Sequence, residues 1–270
     1  MIAMPPTLRL EEVVVEPSYV LGFPTYVGIT LAVDPVSATL SRVPLAGWED
    51  TRDMVGVRLY TQAQLVIEAK AGNVADPEVG VPVTRLRAGE HRRILVDLSE
   101  VLPPTLAPDR YQALITFGPP EQRAQSDWLT LNMRAPNSRE TELLRVTSAE
   151  REERGSWGQW TRFPPTGASP TQLPWGPSDP LRFNWLMRDM LYGPGALQSI
   201  PLTSLDVLDG LFLPERAALQ AEILAQRGDA GAFQAHLADA KRAFPELSWW
   251  LDHIEPGGSV IAWTRRHREI

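Results

Sequence analysis

The sequence predicts an α+β protein: an antiparallel β-sandwich over residues 1–135, a Pro/Trp-rich connector packed on the domains over 136–179, and a small helical domain with an extended tail over 180–270. Three observations lead there. About seven short runs of alternating or β-branched residues fill the first half, separated by Pro, Gly and Asp. Such runs without intervening helical pattern favour facing antiparallel layers over a parallel sheet. Between Gly155 and Asp179 prolines and glycines deny regular structure, yet the segment holds Trp157, Trp160, Phe163 and Trp175. After Asp179 the apolar residues recur at helical spacing.

The strands follow in order. Leu8–Val15 opens with alternation and ends in continuous valines, a good strand signal. In Tyr26–Val33 one face is aliphatic throughout, Val27, Ile29, Leu31 and Val33, and should look inward. Met54–Tyr60 and Gln64–Glu68 read as the third and fourth strands, the third weakened by Gly56. Arg92–Leu98, Tyr111–Phe117 and Asp127–Met133 complete the set. The turn-rich segments 34–53 and 71–83 are either irregular or carry small extra strands.

Beyond the strands, Asn137 followed by Glu140 has the form of a capping box, and Glu142/Arg145 and Glu150/Arg154 have helical spacing. A helix is expected there, with an edge strand through Leu143–Thr147 as the competing reading. The Gly155–Asp179 segment is too aromatic for a disordered linker and is expected to be draped over a domain and pinned by its rings. Asp179 and Pro180 make an N-cap and first-turn pair for a helix bearing Phe183, Leu186, Met187 and Met190. Ser204 is expected to cap a short helix through Leu205, Leu208 and Leu211. Pro214 opens another that Gly228 stops, and Asp229 caps the next, with Phe233, Leu237, Ala240 and Phe244 at core spacing. A last helix carries Leu247, Trp250, Leu251 and Ile254, and Val260–Trp263 reads as a closing strand or extended arm.

Two stretches resemble known families. Arg92–Leu98, a Pro-rich corner, then Leu106-Ala-Pro-Asp-Arg-Tyr111 leading into Gln112–Phe117 resembles the tyrosine corner of immunoglobulin-like and fibronectin-type sandwiches. The resemblance implies that the Tyr111 hydroxyl bonds backward to the backbone near the crossover. The pair of helices from Glu215 to Phe244 is similar to a tetratricopeptide hairpin, through Leu219, Ala221, Leu224, Gly228-Asp229, Ala240 and Pro245. That similarity covers about one repeat, lacks the family's Trp and Gly/Tyr pair, and has no second copy with which to form a groove.

Composition bounds the function. At 270 residues and 43% hydrophobic content the chain can bury a substantial core. With no Cys, it has neither disulfides nor thiolate metal sites nor a Cys nucleophile. A net charge of −7 argues against a broad nucleic-acid footprint. Of the 26 basic residues only Lys70 and Lys241 are lysines, a bias that fits a GC-rich genome. Met1–Pro6 is broken by two prolines and no apolar run is long enough to cross a bilayer, so a soluble cytoplasmic protein without membrane partner is expected.

No motif carries chemistry. The histidines His91, His236, His253 and His267 form no His-Glu-x-x-His pair, and His236 with Asp239 offers two ligands where zinc needs more. There is no Gly-x-Ser-x-Gly and no phosphate-binding Gly-x-x-x-x-Gly-Lys. Glu11-Glu12 and Glu152-Glu153 sit in charged contexts where solvation is the default. No catalytic residue, metal ligand or cofactor is nominated. The non-random feature is tryptophan: seven of the nine lie after residue 150. Indoles combine large burial area with a donor, and are enriched at binding hot spots. Trp157, Trp160, Trp175 and Trp263 are therefore the candidate partner-binding residues. The expected function is a non-catalytic protein-interaction module, scaffold or accessory subunit in a bacterial cytoplasmic complex, with a protein partner. The alternatives are a hydrolase with a site at the domain junction, drawing on His236 or His253, and a carbohydrate-binding module using the Trp cluster.

Overall fold

The computed structural model describes residues 8–33, 41–44, 55–61, 64–69, 83–86, 89–118, 123–154, 178–192 and 200–256. It is α+β, with largely antiparallel sheets before residue 135 and helices after it. The chain divides into two units, Met1–Trp160 and Thr161–Ile270.

In the first unit, β1 (Leu8–Val15), β3 (Tyr26–Val33) and β8 (His91–Asp97) form a three-stranded sheet in the order β1-β3-β8. A second sheet runs β2 (Tyr19–Val20), β11 (Leu129–Arg134), β9 (Asp109–Phe117), β5 (Val55–Thr61), β6 (Gln64–Ala69), with β10 (Ala124–Gln125) also paired to β9. The open segment 34–53 contributes β4 (Ser41–Pro44), which pairs antiparallel with β7 (Val83–Leu86), a strand that begins at the last residue of the open segment 71–83 and runs three residues past it. The expected strand over 127–133 begins two residues later, at Leu129.

Val27, Ile29 and Leu31 of β3, with Ile94 and Val96 of β8, share one buried cluster with Val57 and Leu59 of β5, Ala113 and Ile115 of β9, and Leu131 of β11. Each of these Val, Leu and Ile side chains withdrawn from water contributes about 1.5–3 kcal/mol. The alternation in the sequence therefore marks the inward face correctly. It does not show that β3 is buried on both faces. On the second face the Arg93 guanidinium, 2% exposed, lies over Gly28, where a Cβ would stand 2.4 Å from Nη2. The strand glycine makes room for a buried cation.

The chain passes from the three-stranded sheet to the six-stranded one and back within residues 8–33, because β2 pairs with β11, Tyr19 opposite Met133, in the one parallel ladder among the described strands. Tyr19 holds this excursion closed. Its hydroxyl donates to Tyr26 O at 2.6 Å and accepts from Glu16 N at 2.8 Å. Tyr111, at the start of β9, donates to Ala107 O at 2.8 Å, four residues back. Burial first, and the Asp109 carboxylate second, push its phenol above the usual range, so it remains a donor.

Residues 138–154, inside the expected connector, form helix α1 (Ser138–Arg154). The capping box is made in both directions: Glu140 N donates to Asn137 Oδ1 at 2.9 Å, and Asn137 N to Glu140 Oε2 at 2.8 Å. Arg134, at the end of β11, grips the same carboxylate with two bonds of 2.7 and 2.5 Å and holds it below the usual carboxylate range. Leu144 then approaches the turn after β2, where Gly22 has φ +87° and a Cβ would lie 3.1 Å from Leu144 Cδ1.

In the second unit, α2 (Arg182–Tyr192) begins after Asp179, whose side chain accepts from Leu181 N at 2.8 Å. Leu181 to Arg188 are buried without a break, so this helix has no wet face over those turns. Phe183 stacks on Phe212 at 5.1 Å, with Arg182 over the same ring. Ser204 does not cap a helix: it lies inside a 3-10 segment, Leu202–Val207, and a second one spans Gly210–Phe212. Four closely spaced leucines suit 3-10 turns packed on a core as well as they suit an α-turn. Helix α3 (Leu213–Arg227) opens with Pro214 and stops at Gly228, φ 73°. Helix α4 (Ala230–Ala243) is capped by Asp229, which accepts from Ala232 N at 3.0 Å. The final segment is shorter than expected: a 3-10 turn over Pro245–Leu247 and one α-turn over Ser248–Leu251. Its Trp250 indole donates to the buried Glu222 of α3 at 3.0 Å. Among the described residues no helix is long and apolar enough to cross a membrane.

Candidate binding surface on the six-stranded sheet

Opposite residues of paired strands share a face, so the registers define a row across this sheet: Leu65, Tyr60, Gln112 and Thr130. Leu59 and Ala113, one residue displaced, face the core. The row therefore lies on the outer face. Trp128 precedes Thr130 by two and belongs to the same side. Its ring meets Tyr60 edge-on, centroids 5.2 Å apart and planes at 71°. Trp128 is 58% exposed.

The edge of the sheet adds to this patch. Between Leu59 and Tyr60 the register of β5 and β6 slips, leaving Val66 without an opposite residue. A bulge of this kind re-aims side chains, and Leu65 and Val66 stand side by side at 51% and 46% exposure. Of the five large apolar side chains exposed among the described residues, these two and Trp128 gather on this sheet, while Val146 and Leu213 lie elsewhere. The charges around them are partly matched: Arg58 Nε donates to Glu68 Oε1 at 3.0 Å. Gln112 Nε2 donates to Thr130 Oγ1 at 3.2 Å, and Arg110 is exposed further along β9. The surface is apolar and aromatic with a rim of donors.

A concavity elsewhere in this unit, of about 380 Å³, has an apolar lining of Leu21, Phe23, Leu102, Leu106 and Met133, with Ser99 and Glu100 on one side and Arg151 and Glu152 of α1 on another. Next to it is Asp97, 2% exposed, whose Oδ1 accepts from Thr25 N at 2.8 Å and Ser99 N at 2.9 Å. Burial pushes its carboxyl from the ordinary 3.8 up to about 6. This carboxylate ties the start of β3 to the turn after β8.

Trp157, Trp160, Trp175 and Trp263 lie outside the described residues. Of the histidines nominated for a hydrolase, His236 bonds to a backbone carbonyl and not to a carboxylate in the described contacts. The His236 ring contacts Ala217 O at 2.9 Å, linking α4 to α3, while Asp239 accepts from Arg242 at 2.9 Å. Asp252, beside His253, pairs with Lys241 at 2.6 Å. Among the described residues no group of three or more His, Cys, Asp or Glu could hold a metal ion. Trp128 falls inside the strand expected over 127–133, and its place in that run alone gives it no functional role. The signal was its parity: Trp128 falls in step with Thr130 and Asn132, and out of step with Leu129, Leu131 and Met133.

No protein-family model matches the chain, and no curated protein matches it in sequence. Among solved structures, Spo0M, a sporulation control protein from Bacillus subtilis, is similar at 8% sequence identity and a TM-score of 0.24, over 53% of this chain and 55% of that one. The matched region thus spans about half of the Spo0M chain. A likeness this remote assigns neither fold nor activity.

Proposed function

We propose that the chain is a non-catalytic protein-interaction module, a scaffold or accessory subunit of a bacterial cytoplasmic complex, whose first half is an immunoglobulin-like β-sandwich. The sandwich reading is supported by the single buried cluster shared by the two larger sheets and by the backward bond from Tyr111 to Ala107. The interaction reading rests on one observation above all: Trp128, Tyr60, Leu65 and Val66 leave an aromatic and aliphatic patch in water on the outer face of a sheet. Contiguous exposed apolar groups of this kind mark interaction sites. Trp and Tyr are the side chains that most often dominate binding energy. In this reading Trp128 and the sequence-nominated Trp157, Trp160, Trp175 and Trp263 are partner contacts.

The test is capture of a partner on the immobilised chain, identification by mass spectrometry, and titration of the purified partner against variants. Trp128→Ala should weaken binding by roughly tenfold or more, and the Trp157→Ala/Trp160→Ala pair should also weaken it, with the melting temperature held. Binding indifferent to Trp128→Ala would remove this surface from the function.

A further inference from the structure

We propose that the outer face of the six-stranded sheet binds an uncharged, proline-rich peptide in the polyproline II conformation, seated in the corner between the Trp128 and Tyr60 rings. The inference rests on the interaction reading above and names the partner's chemistry.

Ring geometry is the first argument. With planes at 71° and centroids 5.2 Å apart, the two rings are walls of a corner, not a level platform. A level pair suits the broad face of a sugar. A corner suits a puckered pyrrolidine ring, whose C–H groups meet the negative π face of one aromatic while its flank touches the other.

Hydrogen bonding is the second argument. A polyproline II segment makes no internal hydrogen bonds, so its carbonyls point outward and require donors. The same face supplies them. Gln112 spends one amide hydrogen on Thr130 and keeps another, and the exposed guanidinium groups of Arg58 and Arg110 stand to either side on β5 and β9. Proline brings acceptors and no amide donor, which matches a rim of donors.

Charge is the third. Arg58 is already paired with Glu68 at 3.0 Å, which leaves the exposed Arg110 guanidinium at the rim, two residues along β9 from Gln112, while desolvating an unmatched charge on the ligand against Trp128 at the centre would be costly. Leu65 and Val66 extend the apolar ground toward the sheet edge for a second prolyl or aliphatic residue. Because polyproline II is populated before binding, little conformational entropy is lost on docking.

The experiment is calorimetric titration of the full chain with decaproline, with a glycine–serine peptide of equal length, and with cellohexaose. It is repeated on Trp128→Ala and on Val146→Ala, a control at an exposed apolar residue of α1. Decaproline should bind, and the other two ligands should not. Trp128→Ala should weaken binding by about tenfold or more, and Val146→Ala should leave it unchanged. Amide shift mapping on the unaltered chain locates the peptide without relying on any variant's folding: shifts at Tyr60, Gln112 and Thr130 support the proposal, and shifts confined elsewhere overturn it. It is also overturned if decaproline fails to bind, binds Trp128→Ala equally well, or is replaced at this site by cellohexaose. Partner capture that needs Trp128 but is not competed by decaproline leaves the interaction module standing and removes the proline-rich partner. Capture indifferent to Trp128 removes both.

Discussion

Replacing Asp97 by Asn should change how the stability of the protein depends on pH, and the size of the change follows from one carboxylate. Asp97 is buried, with Oδ1 accepting from Thr25 N and Ser99 N and Oδ2 without a hydrogen-bond partner among the described residues. Desolvation by burial outweighs the Ser99 and Thr25 hydrogen bonds and lifts its pKa from 3.8 to about 6. The folded-state value is thus above the unfolded one, and the sign is unusual for a carboxyl. Below 3.8 both states hold the proton and Asp97 adds no pH dependence. Between 3.8 and about 6 the unfolded chain releases the proton while the folded chain keeps it, so stability falls as pH rises. Above that window the loss is complete. A gap of about two pH units, at about 1.4 kcal/mol each, amounts to about 3 kcal/mol. Asp97→Asn keeps an acceptor for both amides and never ionises. Urea unfolding of both proteins at pH 4, 5, 6 and 7, followed by amide exchange at Thr25 and Ser99, gives the difference in stability at each pH. Acid effects of carboxyls that do not interact with Asp97 cancel in that difference. Relative to the Asn variant, the parent should lose about 2–3 kcal/mol from pH 4 to pH 7, because the unfolded carboxyl is already partly ionised at pH 4. A difference that stays flat, or in which the parent gains with pH, would refute the reasoning. The second outcome would mean that the two N–H donors outweigh burial.

Three further outcomes follow from the same geometry. Asn137→Ala removes the side-chain acceptor for Glu140 N and should cost about 1 kcal/mol in denaturant unfolding, while the Arg134 grip on Glu140 survives. Gly22→Ala forces a side chain into φ +87° and against Leu144, and should destabilise by about 1–3 kcal/mol; a stabilised variant in thermal unfolding would contradict the turn geometry. Tyr111→Phe deletes the bond to Ala107 O and should cost about 1 kcal/mol. An unchanged unfolding midpoint would show that water replaces the hydroxyl without loss.

The parts of this fold that were legible in the sequence are those whose hydrogen bonds close over a few residues. Asp229 caps α4 across three residues, Asn137 and Glu140 make a reciprocal pair across three, and Tyr111 reaches back four. Pro214 and Gly228 bound α3 through their own backbone preferences. The aliphatic face of β3 was readable because side chains alternate along a strand whatever lies opposite. Ser204 misled because a good capping residue says nothing of whether the chain before it can enter a helix.

Tertiary structure decided what depends on distant neighbours. The parallel pairing of β2 with β11 joins Tyr19 to Met133 and switches the chain between sheets. Nothing near either strand requires it. Burial of Arg93 over Gly28 and the raised pKa of Asp97 need both faces of β3 and β8 to be covered, which alternation cannot show. The candidate surface arises the same way. Local sequence drew attention to the tryptophans after residue 150, but exposure of Trp128 beside Tyr60 depends on registers linking β5, β6, β9 and β11. Short-range hydrogen bonds and capping are written residue by residue. Solvent access and ring geometry are properties of pairs that the sequence holds about 70 residues apart, and only the closed sheet brings them within contact.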